Sequence, residues 1–394
     1  MKKLLMISFD AVPSSEWQRL SAYPNVKNFE KTACVTLDVQ SVFLSNTYPV
    51  HCSVVTGRLP FQHGVISNTE PFPRKHPRWV TNASAIKART LWQAAKEAGL
   101  SVASFLWPCT GHSPHIRWNV PELPPVPGQN QILANLAAGS KFLQADLMLR
   151  YGKLLDGTEQ PALDHFVTAC AADTLRRKQP DLVLVHLTGY DLFCHKAGRD
   201  SPKLDLALAA LDENLGRLLE AAGADYTTII FSDHSQVTVH TVLTPNELLV
   251  EMGFLEKAEA GYTAGRYGCF IECCGGSAFF HAGILPEAEI TRVREKLAVS
   301  EGFGRFLRPE EMKECGRPDL AFGYGLAAGY MTDNVKSVYQ GNHGYPLDMP
   351  DYRVFYAVKG DDFTPGETRY GGSLLDIAPL AAKILKMKWQ EEEK

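Results

Sequence analysis

The sequence predicts an α/β fold, with a doubly wound, mainly parallel central sheet flanked by helices and a smaller α+β insert. Two observations carry this. Short apolar, β-branched runs end in polar residues at 3–9, 34–39, 101–106, 181–187, 226–231 and 353–358. Continuous apolar runs of this length suit strands buried on both faces, as in a sheet covered by helices. Helical patterns lie between them, at 90–98, 129–149, 162–177, 203–222 and 372–387. In one of these, Leu204, Leu208, Leu211, Leu215 and Leu218-Leu219 recur at spacings of three and four, the apolar stripe of an amphipathic helix. Strands alternating with helices make a doubly wound sandwich. Two stretches break the alternation. Residues 108–128 are rich in proline and read as a loop over the sheet edge, while 236–340 hold short strand-like pieces at 269–272 and 278–281 and a helix near 287–297. The expected division is a core of 1–235 and 341–394, with 236–340 as the inserted subdomain.

Composition narrows the function. The chain has 394 residues, 45% hydrophobic and 21% charged, which is ordinary for a globular protein. A net charge of -4 argues against binding a nucleic-acid polymer by neutralising its backbone. Small anionic substrates remain compatible, because a local cationic site matters there and the global balance does not. The nine cysteines are scattered without a Cys-x-x-Cys pair, so neither a disulfide framework nor a thiolate metal site is expected and a reducing compartment fits. The start, Met1-Lys2-Lys3-Leu4-Leu5-Met6-Ile7-Ser8-Phe9, is too short in its apolar run for a signal peptide and leads straight into Asp10. It reads as a buried first strand, with a cytoplasmic location and no membrane span as the expectation.

In an open parallel sheet, ligands sit outside the carboxyl ends of the strands. Asp10 follows the first strand, Asp191 and His195 follow the run at 181–187, and Asp233-His234 follow the run at 226–231. Carboxylates and imidazoles are metal ligands, and Asp191 and His195, four apart, would face one ion from a single helical turn. His343 lies in Gly341-Asn342-His343-Gly344-Tyr345-Pro346, an irregular loop of the kind that carries functional residues. Thr47 lies in Ser45-Asn46-Thr47-Tyr48-Pro49-Val50-His51, just before a helix expected to run to about Thr56 and stop at Gly57. Free backbone N–H groups there favour an anion. A threonine hydroxyl becomes a useful nucleophile only when a base or a metal activates it.

Taken together, the order and spacing of these elements resemble the nucleotide pyrophosphatase/phosphodiesterase branch of the alkaline phosphatase superfamily. That branch shows an aspartate after the first strand, a Thr-Phe-Pro-Asn-His nucleophile motif, an Asp-x-x-Gly-His pair, a Ser-Asp-His-Gly pair and a late His-Gly-Tyr. Here they read Phe9-Asp10-Ala11, Thr47-Tyr48-Pro49-Val50-His51, Asp191-Leu192-Phe193-Cys194-His195, Ser232-Asp233-His234-Ser235 and His343-Gly344-Tyr345. The resemblance covers 3–110 and 180–235 well and 341–385 more loosely. It implies one metal site of Asp191, His195 and His343 and another of Asp10, Asp233 and His234, with Thr47 as the shared ligand and nucleophile. Asn68 matches the family asparagine that hydrogen-bonds the transferring phosphoryl oxygen. Cys194 and Ser235 replace family glycines and Val50 replaces an asparagine, which leaves the ligand set intact and touches the shape of the pocket.

What the resemblance implies is attack of Thr47 on a small phosphate ester between two divalent cations. Zinc suits the mixed imidazole and carboxylate donors, with manganese as the second choice. The leading activity is that of a phosphodiesterase or nucleotide pyrophosphatase. The enzymatic alternatives are a phosphonoacetate hydrolase and a phosphomonoesterase or sulfatase. The alternative of another class is a catalytically silent binding protein. His112 and His115 are assigned to a polar loop, and Trp107, Trp118 and Tyr190 to packing. Cys52 and Cys194 are not needed as nucleophiles while Thr47 is present.

Overall fold

The computed structural model describes residues 2–389 apart from Lys75, Ala260 and Lys336; Met1 and 390–394, the outer ends of the expected core, lie outside the described residues. Eight strands form the main sheet, in the spatial order Thr368–Tyr370, Cys34–Val39, Val354–Lys359, Tyr226–Phe231, Lys3–Phe9, Leu182–Leu187, Val102–Phe105 and Trp118–Val120. Lys3–Phe9 lies inside the sheet with a parallel partner on each side, Ile7 facing Val185 on one and Ile230 on the other. From Leu4 onward this strand is buried throughout, which is why its sequence is a continuous apolar run. Successive side chains point to opposite faces. Leu5, Ile7 and Phe9 pack with Leu208, Leu211, Leu215 and Leu218 on one face, while Leu4 and Met6 pack with Val50, Val54, Ile377 and Ala381 on the other. Each such leucine removed from water contributes about 1.5–3 kcal/mol. One strand breaks the parallel pattern: Val354–Lys359 runs antiparallel to both neighbours.

Two sequence readings change. The pattern at 129–149 is two helices, Gln131–Ala138 and Lys141–Tyr151. At Gly139, between them, the chain passes so close to the sheet edge that a Cβ would lie 2.5 Å from the Asn119 carbonyl oxygen. The proline-rich stretch at 108–128 is not all loop, because Trp118–Val120 pairs in parallel with Val102–Phe105. Three residues among prolines are too few to show a strand period.

Residues 236–340 carry small sheets and short helices. Phe270–Cys273, Ser277–His281, Phe322–Leu326 and Phe303–Phe306 form a four-stranded antiparallel sheet, backed by the helix Glu287–Ala298. Val237–Leu243 pairs with Gly329–Thr332 and with Gly341–Asn342, so the chain re-enters the core beside His343. No helix among the described residues is long and apolar enough to cross a membrane.

Candidate active site

Asp10, Asp233, His234 and His343 follow strand ends, while Asp191 and His195 lie within one helix. Asp10 leaves the strand Lys3–Phe9, and the next residue, Ala11, turns with φ +66° so that its N–H donates to Asp233 Oδ1 at 3.0 Å. Adjacent strand ends are thereby laced together. The strand Leu182–Leu187 leads into the helix Gly189–Ala197, whose first turn is fastened by Asp164, which accepts from the N–H groups of Thr188 at 3.0 Å and Gly189 at 2.9 Å. Asp191 and His195 share one face of that helix, with His195 Nε2 3.3 Å from Asp191 Oδ2. Asp233 and His234 follow Tyr226–Phe231 and are wholly buried. Thr47 is the first residue of the helix Thr47–Thr56, one step further in than expected, and Gly57 closes that helix with φ +62°.

The structure brings these residues to one place. Ligand atoms of Asp191, His195 and His343 lie within 4.8 Å of one another, as do those of Asp10, Asp191 and His234. The first group matches the expected set. In the second, Asp191 stands where Asp233 was expected, while Asp233 Oδ2 lies 3.3 Å from His234 Nε2 and 3.4 Å from His51 Nδ1. Asp191 therefore lies between the two groups. The His234 and His343 rings stack at 4.1 Å, and Thr47 Oγ1 is 3.2 Å from His234 Nε2. Each imidazole is held by its far nitrogen: His195 Nδ1 donates to Gly341 O at 2.8 Å, His343 Nδ1 to Asn46 Oδ1 at 2.8 Å, and His234 Nδ1 to Ser235 O at 3.2 Å. That fixes the tautomer and leaves the Nε2 lone pair free to hold a metal ion.

Charge points the same way. Burial, reinforced by the charges of Asp233 and Asp191, raises the Asp10 carboxyl well above the usual range. Burial pushes Asp233 up to about 6. Burial opposes ionisation of Asp191 too, but His195, His343 and His234 outweigh it and hold that carboxyl below its ordinary value. Burial lowers His234 to about 4 and His343 well below the usual imidazole range, so both rings are neutral donors near pH 7. Asp10 Oδ1 and Asp233 Oδ2 are buried without a hydrogen-bond partner among the described residues. Orphaned, mutually repelling carboxylate oxygens beside neutral imidazoles are costly unless a cation answers them. The donor set fits divalent metal ions.

Asn68 sits against the start of the helix Thr47–Thr56. Its Oδ1 accepts the Tyr48 N–H at 2.9 Å, so the amide nitrogen is the end left to donate. Sequence reasoning missed the residues behind the ligands. His186 donates from Nε2 to Asp10 Oδ2 at 2.9 Å and from Nδ1 to Leu106 O at 3.1 Å. Burial opposes its charge, but hydrogen bonds to Asp10 and Glu122 and their negative charges raise its pKa well above the ordinary value. His51 bonds Thr47 O at 2.8 Å and Ser8 Oγ at 2.9 Å, and Gln236 Nε2 holds Asp191 Oδ1 at 2.5 Å. The available signal was a histidine inside an otherwise apolar strand, Leu182–Leu187, and another one helical turn after Thr47. The residues set aside stay aside: Trp107 and Tyr190 are buried in the core, Trp118 packs against it, and His112 is exposed. Burial pushes the Cys194 thiol well up, away from a reactive thiolate.

Known proteins resemble this chain in sequence and in fold. Residues 4–301 match the family described as type I phosphodiesterase / nucleotide pyrophosphatase. The human bis(5'-adenosyl)-triphosphatase is 30% identical over 408 residues, spanning 98% of this chain and 78% of its own length. Human ectonucleotide pyrophosphatase/phosphodiesterase family member 5 is 26% identical over 414 residues, spanning 98% of this chain and 75% of its own. Among solved structures, murine ectonucleotide pyrophosphatase/phosphodiesterase 5, an inactive form in complex with AMP, superposes with a TM-score of 0.72. It is 17% identical and covers 99% of this chain and 96% of its own, a likeness of fold. The chain belongs to the type I phosphodiesterase/nucleotide pyrophosphatase family of the alkaline phosphatase superfamily, and it is a hydrolase of the phosphodiesterase/pyrophosphatase type.

Proposed function

We propose that the protein hydrolyses small, nucleotide-like phosphodiesters or pyrophosphates through a phospho-threonine intermediate on Thr47, with two divalent cations. The observation that carries this is the position of Thr47 Oγ1, at the start of a buried helix and 3.2 Å from His234 Nε2. Asp191, His195 and His343 would hold one ion, and Asp10, Asp233 and His234 the other, with Asp191 in reach of both and Thr47 shared. Mixed imidazole and carboxylate donors favour zinc, with manganese second. When bound, the ions supply activation of the threonine oxygen and neutralise charge on the phosphoryl and leaving oxygens. Thr47 forms the new O–P bond as the bond to the leaving oxygen breaks, and water then displaces the threonine and restores its hydroxyl. The helix start around Thr47 and the Asn68 amide donate to phosphoryl oxygens as negative charge redistributes. The human relative's name, an adenosyl triphosphatase, and the AMP in the murine structure support a nucleotide-like substrate.

Thr47→Ala should keep fold and metal content while losing the trapped phospho-enzyme and several orders of magnitude in kcat. Thr47→Ser should keep part of the rate. An alanine variant within about tenfold of the parent would make water the nucleophile and end this reading.

Substrate charge follows from the surroundings. The nearby candidates for an extra cation are committed elsewhere, Lys196 to Glu159 and Arg199 to Asp351 and Ser15. Neutral donors suit the single charge of a diester, so bis-p-nitrophenyl phosphate should exceed p-nitrophenyl phosphate by at least about tenfold in kcat/KM. A monoester preference would move the assignment to a phosphomonoesterase. Phosphate release from phosphonoacetate in preference to both would move it to the C–P hydrolase.

We place the protein in the cytoplasm. Its nine cysteines are free thiols, which suits a reducing compartment, and Lys3–Phe9 is an interior strand of the sheet. A native amino terminus found beyond Asp10 would refute this.

A further inference from the structure

A buried ion pair within residues 236–340 reaches out to the backbone beside Asn68. Glu272 lies on Phe270–Cys273 and Arg317 shortly after the helix Pro309–Glu314, and each is 3% exposed. Arg317 Nε donates to Glu272 Oε2 at 3.1 Å, and its Nη2 donates to Oε1 of the same carboxylate. The guanidinium lies 4.1 Å from the centre of the Phe279 ring, and Glu272 also accepts from His281 Nε2 at 3.0 Å. The remaining nitrogen, Nη1, donates at 3.0 Å to the carbonyl oxygens of Cys315 and Ile66. Ile66 precedes Asn68 by two residues. Next to Arg317, Gly316 adopts φ +79° with its backbone against Ile66, where a Cβ would lie 2.4 Å from Ile66 Cγ2.

Burying two charges costs desolvation that apolar residues of the same volume would avoid. A buried pair is most readily understood when it fixes a geometry, and here the fork spans two segments 251 residues apart. Asn68 is already tied on its other side, its Oδ1 to the Tyr48 N–H and its carbonyl to the Val80 N–H, both at 2.9 Å. The same strand end that carries Glu272 continues to Gly276, whose N–H donates to His343 O at 2.8 Å. The 236–340 segment thus grips the chain beside Asn68 and the chain at His343.

We propose that Arg317, oriented by Glu272, is a positioning residue that sets the Ile66-to-Asn68 segment so that the Asn68 amide meets the phosphoryl oxygen; this rests on the role given to Asn68 above. The effect reaches the reaction through Asn68. Lysine at 317 keeps the charge and loses the fork, so it is the informative substitution.

The test is a double-mutant cycle on the metal-loaded full chain, using bis-p-nitrophenyl phosphate, with circular dichroism and metal content alongside. Arg317→Lys alone should lower kcat by about tenfold or more with KM little changed. In an Asn68→Ala background the same substitution should cost less than about twofold. An equal loss in both backgrounds would mean a general structural role and overturn the proposal. If Arg317→Lys is recovered insoluble, Glu272→Gln, which keeps the side chain's shape, goes through the same cycle with the same two outcomes. An Asn68→Ala enzyme as active as the parent would remove the role of Asn68 itself, and this route with it, while leaving the Thr47 result untouched.

Discussion

The two candidate ligand groups are built on different supports. Asp10, Asp233 and His234 leave the ends of neighbouring interior strands and are 3%, 0% and 0% exposed. Asp191 and His195 sit on a helix with side chains 16% and 15% exposed, and meet a His343 that arrives on a loop from the far end of the chain. The inner group inherits its geometry from strand pairing, reinforced by Ala11 N–H on Asp233 and His186 on Asp10. The outer group depends on backbone and side-chain acceptors, Gly341 O and Asn46 Oδ1, that only the folded chain supplies. The inner half of the site is thus part of the core, and the outer half is a meeting of separate segments.

The largest effect should come from the residue that belongs to both halves. Asp191→Asn should lower bound metal from about two ions per chain to near none, while His343→Ala should lose about one. Equal losses measured by elemental analysis would put Asp191 in the outer group alone and break the symmetry of the placement. Limited chelation should come next, removing one ion quickly and the other slowly, because the outer ligands are the more exposed. In the His343→Ala protein the fast phase should be missing, and a fast phase that persists there would mean that the inner ion leaves first. The smallest effect concerns the support behind Asp10. His186→Gln should weaken inner-ion affinity by about tenfold to a hundredfold, the usual cost of losing a hydrogen bond behind a ligand, and leave the outer ion's affinity unchanged. A uniform loss at both sites would make His186 a core residue only.

Much of this was legible before any contact was known. Leu204, Leu208, Leu211, Leu215 and Leu218 form a buried stripe as their spacing requires, and Leu206, off that stripe, is 64% exposed. Asp10, Asp233 and His234 were visible as polar residues after apolar strands, and Asp191 with His195 as an i,i+4 pair on what is indeed one helix. The split of 129–149 at Gly139 was not visible, because the close approach of the Asn119 carbonyl that favours glycine there belongs to another segment. His186 was passed over because a histidine inside an apolar strand looks the same in sequence whether it packs or holds a carboxylate.

The sequence by itself determined the alternation of strands and helices, the chemical types of the candidate ligands and their delivery to one rim, because these follow from period, element ends and local spacing. Tertiary structure alone decided that Asp191 lies between both groups, that His186 stands behind Asp10 across 176 residues, and that Arg317 reaches Ile66 across 251. Those contacts join segments whose separation leaves no periodic trace, and they are set by how the sheet, the helices and the 236–340 segment pack against one another.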